Sequence, residues 1–118
     1  MKSALAATLL LLSAAALAET GSCRATANGA RIQVNFSGSL IGGGEGNVLL
    51  NGREISRFER GEARLNLLNQ TMSGRNGYGD VVRARVTNLA RNQGIVDQLT
   101  IPSADLNLRN IPVTCHLN

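Results

Sequence analysis

Cys23-Arg24-Ala25-Thr26-Ala27-Asn28-Gly29-Ala30-Arg31-Ile32-Gln33-Val34-Asn35-Phe36 decides how this chain folds. Small or apolar residues alternate with polar ones on both sides of a central Asn-Gly. Asn-Gly is the strongest short-range hairpin signal, because both central residues of a type I′ turn need positive φ. Folding the stretch there pairs Ala27 with Ala30, Ala25 with Ile32 and Cys23 with Val34. Side chains alternate faces along a strand. Cys23, Ala25, Ala27, Ala30, Ile32, Val34 and Phe36 therefore share one face, and Arg24, Thr26, Arg31, Gln33 and Asn35 share the other. The pattern predicts a hairpin with one face buried and one in water.

Toward the C-terminus the same signal recurs at Asn51-Gly52 and Asn76-Gly77. The first sets Val48-Leu49-Leu50 against Arg53-Glu54-Ile55, with Val48 opposite Ile55. The second joins a strand near 63–71 to one near 81–89, with Leu67 opposite Val86 and Arg83, Arg85 and Thr87 outward. A further turn at Arg91-Asn92-Gln93-Gly94 leads into a strand through Ile101. Leu106 and Leu108 then alternate with Asn107 and Arg109. The final run, 111–117, puts Val113, Cys115 and Leu117 on one face and Thr114 and His116 on the other. Pro102 and Pro112 belong at edges or bulges, since proline donates nothing to a ladder. Arg53, Arg57, Arg60 and Arg64 follow helical spacing, but Gly52 and Gly61 interrupt it and leave room for no more than a short turn within 56–60. About eight short strands with turns every 8–12 residues predict an all-β fold. The form expected is a small antiparallel β-sandwich or barrel joined by Asn-Gly hairpins.

Toward the N-terminus the composition changes. Thirteen of the first 18 residues are Ala or Leu, Lys2 is their one charge, and the segment ends Ala16-Leu17-Ala18. A cation, an apolar run and small residues, in that order, form a secretory signal peptide. The run is shorter than the ~20 residues that span a bilayer. Residues 1–18 are read as a cleaved signal, of bacterial kind, and 19–118 as a single domain. The domain is expected in the periplasm or outside the cell, with no transmembrane segment. Its two cysteines, Cys23 and Cys115, are then an even pair in an oxidising compartment and are expected to form a disulfide. Acylation of Cys23 is the competing reading. It usually requires an apolar residue three positions earlier, where Thr20 stands, and it would leave Cys115 unpaired.

The residues that could carry chemistry are few. One histidine and two end-placed cysteines give no zinc-ligand spacing, so neither a metal nor a cofactor is expected. His116 would have to serve any Ser-His or Cys-His scheme, yet it falls on the outer face of the last strand. Residues 42–46, Gly-Gly-Gly-Glu-Gly, lead into a strand rather than a phosphate-binding helix and read as a flexible loop or bulge. Glu54, Glu59 and Glu62 interleave with Arg53, Arg57, Arg60 and Arg64 as a solvated, self-neutralising segment. Asn35-Phe36-Ser37 and Asn69-Gln70-Thr71 match the glycosylation pattern, which carries no weight in a bacterial chain.

The remaining basic feature is a set of outward arginines: Arg24, Arg31, Arg83 and Arg85. Guanidinium groups grip phosphate and carboxylate bidentately, so these four are the candidate anion-binding residues. The full chain has a net charge of +4, and the part beyond the signal, with eleven Arg against eight acids, has +3. That is modest, and Phe36, Phe58 and Tyr78 are too few to build a base-stacking platform; specific nucleic-acid binding is not expected. The reading is an exported, non-enzymatic binding module whose partner is an envelope protein, polymer or lipid head group. The alternative is a structural or assembly subunit of the envelope that pairs through strand edges.

Overall fold

A computed structural model of the chain describes residues 18–39, 43–66, 71–87 and 93–117. The expected leader up to residue 17 lies outside them, as do Leu67, Leu89 and the start of the turn at Arg91-Asn92. Eight strands run in chain order: β1 Ala18–Ala27, β2 Ala30–Ser39, β3 Gly43–Leu50, β4 Arg53–Asn66, β5 Thr71–Arg75, β6 Val81–Thr87, β7 Gln93–Ile101 and β8 Leu106–Leu117. Each pairs antiparallel with the next, and β8 returns to pair with β1, closing a barrel. The β1–β2, β3–β4, β5–β6 and β7–β8 turns gather at one end. Val48, Val96, Leu99 and Ile101 are among the fully enclosed side chains that fill the interior, with Phe36 and Phe58 also buried.

β1 and β2 pair in the register that the sequence dictates: Ala27 faces Ala30, Ala25 faces Ile32 and Cys23 faces Val34. Asn28 and Gly29 make the turn with φ of 52° and 77°. Positive φ at both positions gives the local twist that suits the flanking strands. Asn51 and Gly52, with φ of 53° and 83°, turn β3 into β4. Here the expected partner changes. Leu49 faces Glu54, but Val48 faces Ser56 rather than Ile55, because a bulge inserts Ile55. Simple alternation from the turn would have driven Arg57 into the barrel. The bulge instead turns Ser56 and Phe58 inward and leaves Arg57 exposed. A second irregularity follows, where Gly46 faces Phe58 and Gly44 faces Ala63. The intervening Glu59-Arg60-Gly61-Glu62 swings outward, through Gly61 at φ 92°, and Ala63 resumes the inner face. The whole segment is strand, with no helical turn at 56–60. The glycine-dense stretch enters β3 at Gly43, and a register shift falls within it, between Gly44 and Gly46, with the extra residues on β4 opposite.

The third Asn-Gly behaves differently. Arg75 faces Val81, so a five-residue loop at 76–80 joins β5 to β6. Asn76 is buried, and its side chain is spent organising that loop rather than forming a two-residue turn. The strand expected over 63–71 is also divided: its first part ends β4 at Asn66, and Thr71 begins β5. β7 bulges at Asp97, since Arg83 faces Gln98 while Ala84 faces Val96. Pro102 opens a 3-10 turn, Pro102–Ala104, and Pro112 lies two residues beyond the last β1–β8 pair.

Cys23 and Cys115 form the disulfide. They face each other directly across the β1–β8 ladder, both buried, so the bond lies on the seam that closes the barrel. Outward positions such as Arg24, Arg31, Gln33, Asn35, Arg83 and Arg85 are polar along their strands. A lipid-facing barrel would carry an apolar band there. No helix among the described residues is long and apolar enough to cross a membrane.

Candidate functional site

The four candidate arginines occupy two separate places. Arg24 on β1 and Arg31 on β2 border a surface depression of about 360 Å³ together with Thr26, Gln33 and Gly52. Arg83 and Arg85 lie on β6, on a different part of the wall. Arg85 is held by Asp97, at 3.5 Å, with that acid brought beside it by the β7 bulge.

Around Arg83 the register assembles a basic row. Arg64 on β4 faces Ser73 on β5, Ser73 faces Arg83, Arg83 faces Gln98 on β7, and Gln98 faces Arg109 on β8. Arg64, Arg83 and Arg109 are all exposed, and the residues between them are short or neutral. Neighbouring strands lie about 4.8 Å apart, so the row places an arginine Cα roughly every 10 Å across five strands. Arg75 and Arg85 flank it, both exposed. On β5 to β8 the acids are few: Asp97 is paired, Asp80 is buried in the β5–β6 loop, and Asp105 sits in the β7–β8 turn. Arg75, Arg83 and Arg109 therefore stand without an ion-pair partner among the described residues, while Arg64 shares β4 with Glu54, Glu59 and Glu62. The sequence grouped Arg64 with the mixed Arg/Glu segment and treated Arg109 as one more alternating residue. Only the register across four ladders brings them into line with Arg83.

The other side of the barrel mixes hydrogen-bonding and charged groups. An open groove of about 510 Å³ is lined by Ser22, Asn35, Asn47, Arg57, Glu59 and His116, among others. A relay of side chains crosses beneath it. Gln33 Nε2 donates to Asn35 Oδ1, Asn35 Nδ2 to Asn47 Oδ1, and Asn47 Nδ2 to Glu54 Oε2, at 2.8, 2.8 and 2.9 Å. Arg57 completes it with Nε donating to Glu54 Oε1 at 3.0 Å and Nη2 to Oε2 at 3.2 Å. Those bonds from Arg57, then that from Asn47, hold the Glu54 carboxyl below the ordinary range, and the same partner raises Arg57. His116 is exposed and faces Ser22 across the seam. This groove offers hydrogen bonds beside the carboxylates of Glu45 and Glu59.

At the turn end, Ser56, Asn76 and Asp80 form a buried polar cluster. Asn76 Nδ2 lies 2.6 Å from both Ser56 Oγ and Asp80 Oδ2, and Ser56 Oγ donates to the same carboxylate oxygen at 3.2 Å. Among the described residues no group of three or more His, Cys, Asp or Glu is placed to hold a metal ion. Comparison of the chain with protein families, with curated proteins and with solved structures returns no match.

Proposed function

We propose that the protein is an exported, non-catalytic binding module that holds an anionic component of the cell envelope, a polymer or a lipid head group, on its β4–β8 wall. The observation that carries this reading is the row Arg64–Ser73–Arg83–Gln98–Arg109. Three arginines at evenly spaced backbone positions on a sheet match a ligand with repeated phosphate or carboxylate groups, each of which an Arg fork can take bidentately. Export is supported by the leader-like first 18 residues and by the disulfide. The alternative, a subunit pairing through strand edges, finds less support, since β8 pairs with β1 and no strand of the closed order is left as an edge.

The test is binding to vesicles containing phosphatidylglycerol and, separately, to soluble polyphosphate. The two probes tell a lipid surface from a free polyanion. Three exposed charge contacts of about 0.5–1 kcal/mol each amount to about tenfold or more in affinity. R64Q/R83Q/R109Q should therefore bind at least one probe about tenfold more weakly, while R24Q/R31Q changes little. Salt should weaken the parent's binding. Equal binding by the parent and the triple variant would remove the proposal.

A further inference from the structure

The half of the barrel away from the basic wall carries a second row of aligned side chains. His116 on β8 faces Ser22 on β1, Ser22 faces Asn35 on β2, Asn35 faces Asn47 on β3, and Asn47 faces Arg57 on β4. All five line the open groove of about 510 Å³, a size within the roughly 300–1,000 Å³ of small-ligand sites. Side-chain length accounts for the concavity. Ser22, Asn35 and Asn47 in the middle are short, while His116 and Arg57 on the end strands are long. Glu59 raises the β4 margin further, because the excursion at 59–62 starts there. Four strand steps of about 4.8 Å give the row a span of about 19 Å, room for a short chain rather than a single small molecule.

The middle of the row is oriented in advance. Asn35 and Asn47 each accept once through Oδ1 and donate once through Nδ2. A primary amide has two N–H groups and two lone pairs, so each keeps one of both that no described residue takes. Side chains already held in one orientation lose little entropy on binding. Charge and shape then exclude other occupants. Arg57 is taken by Glu54, and Glu45 and Glu59 stand exposed along the groove, so a polyanion is repelled. An extended peptide docks by adding to a strand edge, and the closed order leaves none. Nucleic-acid bases need open aromatic faces, whereas Phe36 and Phe58, which reach the lining, are 6% and 3% exposed. A neutral chain dense in hydroxyl groups fits, since each hydroxyl both donates and accepts, as the two amides do.

We infer that this groove binds a neutral oligosaccharide laid across β8, β1, β2, β3 and β4, with its hydroxyls on the remaining amide groups of Asn35 and Asn47 and on Ser22 Oγ. The relay ending at Glu54 and Arg57 positions the two amides, and Glu45 and Glu59 set the preference for an uncharged chain. The site shares no residue with the arginine row, so either can fail without the other.

The experiment is an NMR titration of the isotopically labelled protein with cellotetraose, maltotetraose and chitotetraose. At least one should give saturable shifts clustered at Ser22, Asn35, Ser37, Asn47 and His116, with an affinity that added salt leaves unchanged. N35A/N47A should bind at least about fivefold more weakly, the equivalent of two modest hydrogen bonds. S22W, which fills the middle of the row, should abolish binding while resonances outside the groove stay in place. R64Q/R83Q/R109Q should bind like the parent. Tetragalacturonate, an acidic chain of the same length, should bind more weakly than the neutral chains, and E45Q/E59Q should narrow that gap. No binding by any neutral tetrasaccharide, N35A/N47A binding as tightly as the parent, or shifts centred on the arginine row would overturn the inference. So would tighter binding of the acidic chain than of the neutral ones.

Discussion

Glu54 shows how one exposed residue ties its surroundings together. Its two oxygens accept from Asn47 and twice from Arg57, and these bonds favour the charged carboxylate over the protonated one. Because the folded pKa is lowered, the resulting stabilisation is complete above the ordinary glutamate value of about 4.3. It is lost as pH falls through the lowered value. E54Q should therefore melt below the parent at neutral pH, and the gap should close under acid conditions; a gap independent of pH would refute the assignment. The effect is small, as both partners are largely in water and screened by salt. Asn76 is the opposite kind of residue. Its dipeptide with Gly77 reads like the two other Asn-Gly turns, yet the side chain is buried and directed at Ser56, Tyr78 and Asp80. Nothing local distinguishes it, because the partner hydroxyl comes from β4, twenty residues earlier.

At the scale of the strands, glycine and bulges govern which side chains meet. A Cβ on Gly46 would fall onto the Asn35 carbonyl oxygen and within 3.2 Å of the Phe36 Cα. Both are backbone of the adjoining β2, which cannot yield without opening the β2–β3 ladder. G46A should cost about 1–3 kcal/mol in urea unfolding. G77A, where nothing lies within 4 Å of the added carbon, should cost far less. Equal losses would mean that the close approach is not what requires glycine. The β1–β2 hairpin was fully legible in the sequence, since turn chemistry and period-2 alternation agreed over 14 residues. The β3–β4 pairing was legible only at its turn. The bulge at Ile55 and the excursion at 59–62 answer to what the barrel interior will accept, which no local pattern states. For the same reason the sequence yielded Arg83 but not the row. Arg64 and Arg109 join it only through accumulated register, including the shift at Asp97. The cleft beside Tyr78 likewise assembles β4, the β5–β6 loop and the turn at Ser103, which are distant in the chain.

At the scale of the whole molecule, closure rests on a short seam. β1 and β8 share four registered pairs, against ten between β1 and β2, and one of the four is the Cys23–Cys115 bridge. The bond closes a loop of 92 residues, worth about 4–5 kcal/mol by loop-closure entropy. A domain of this size has a net stability of only about 5–15 kcal/mol. At roughly 4–8 °C per kcal/mol, C23A/C115A should lower Tm by about 15–40 °C, and a reductant should do the same to the parent. The consequence goes beyond stability. Opening the seam would convert β1 and β8 from paired strands into two free edges, each able to template another chain. The reduced protein should therefore form larger species in size-exclusion chromatography as its concentration rises, while the oxidised protein elutes at one position. An unchanged Tm after reduction would show that the β1–β8 ladder and the core hold the barrel shut without the bridge. Self-association of the oxidised protein, whose closed order leaves no free edge, would instead show that the chains associate without opening the seam.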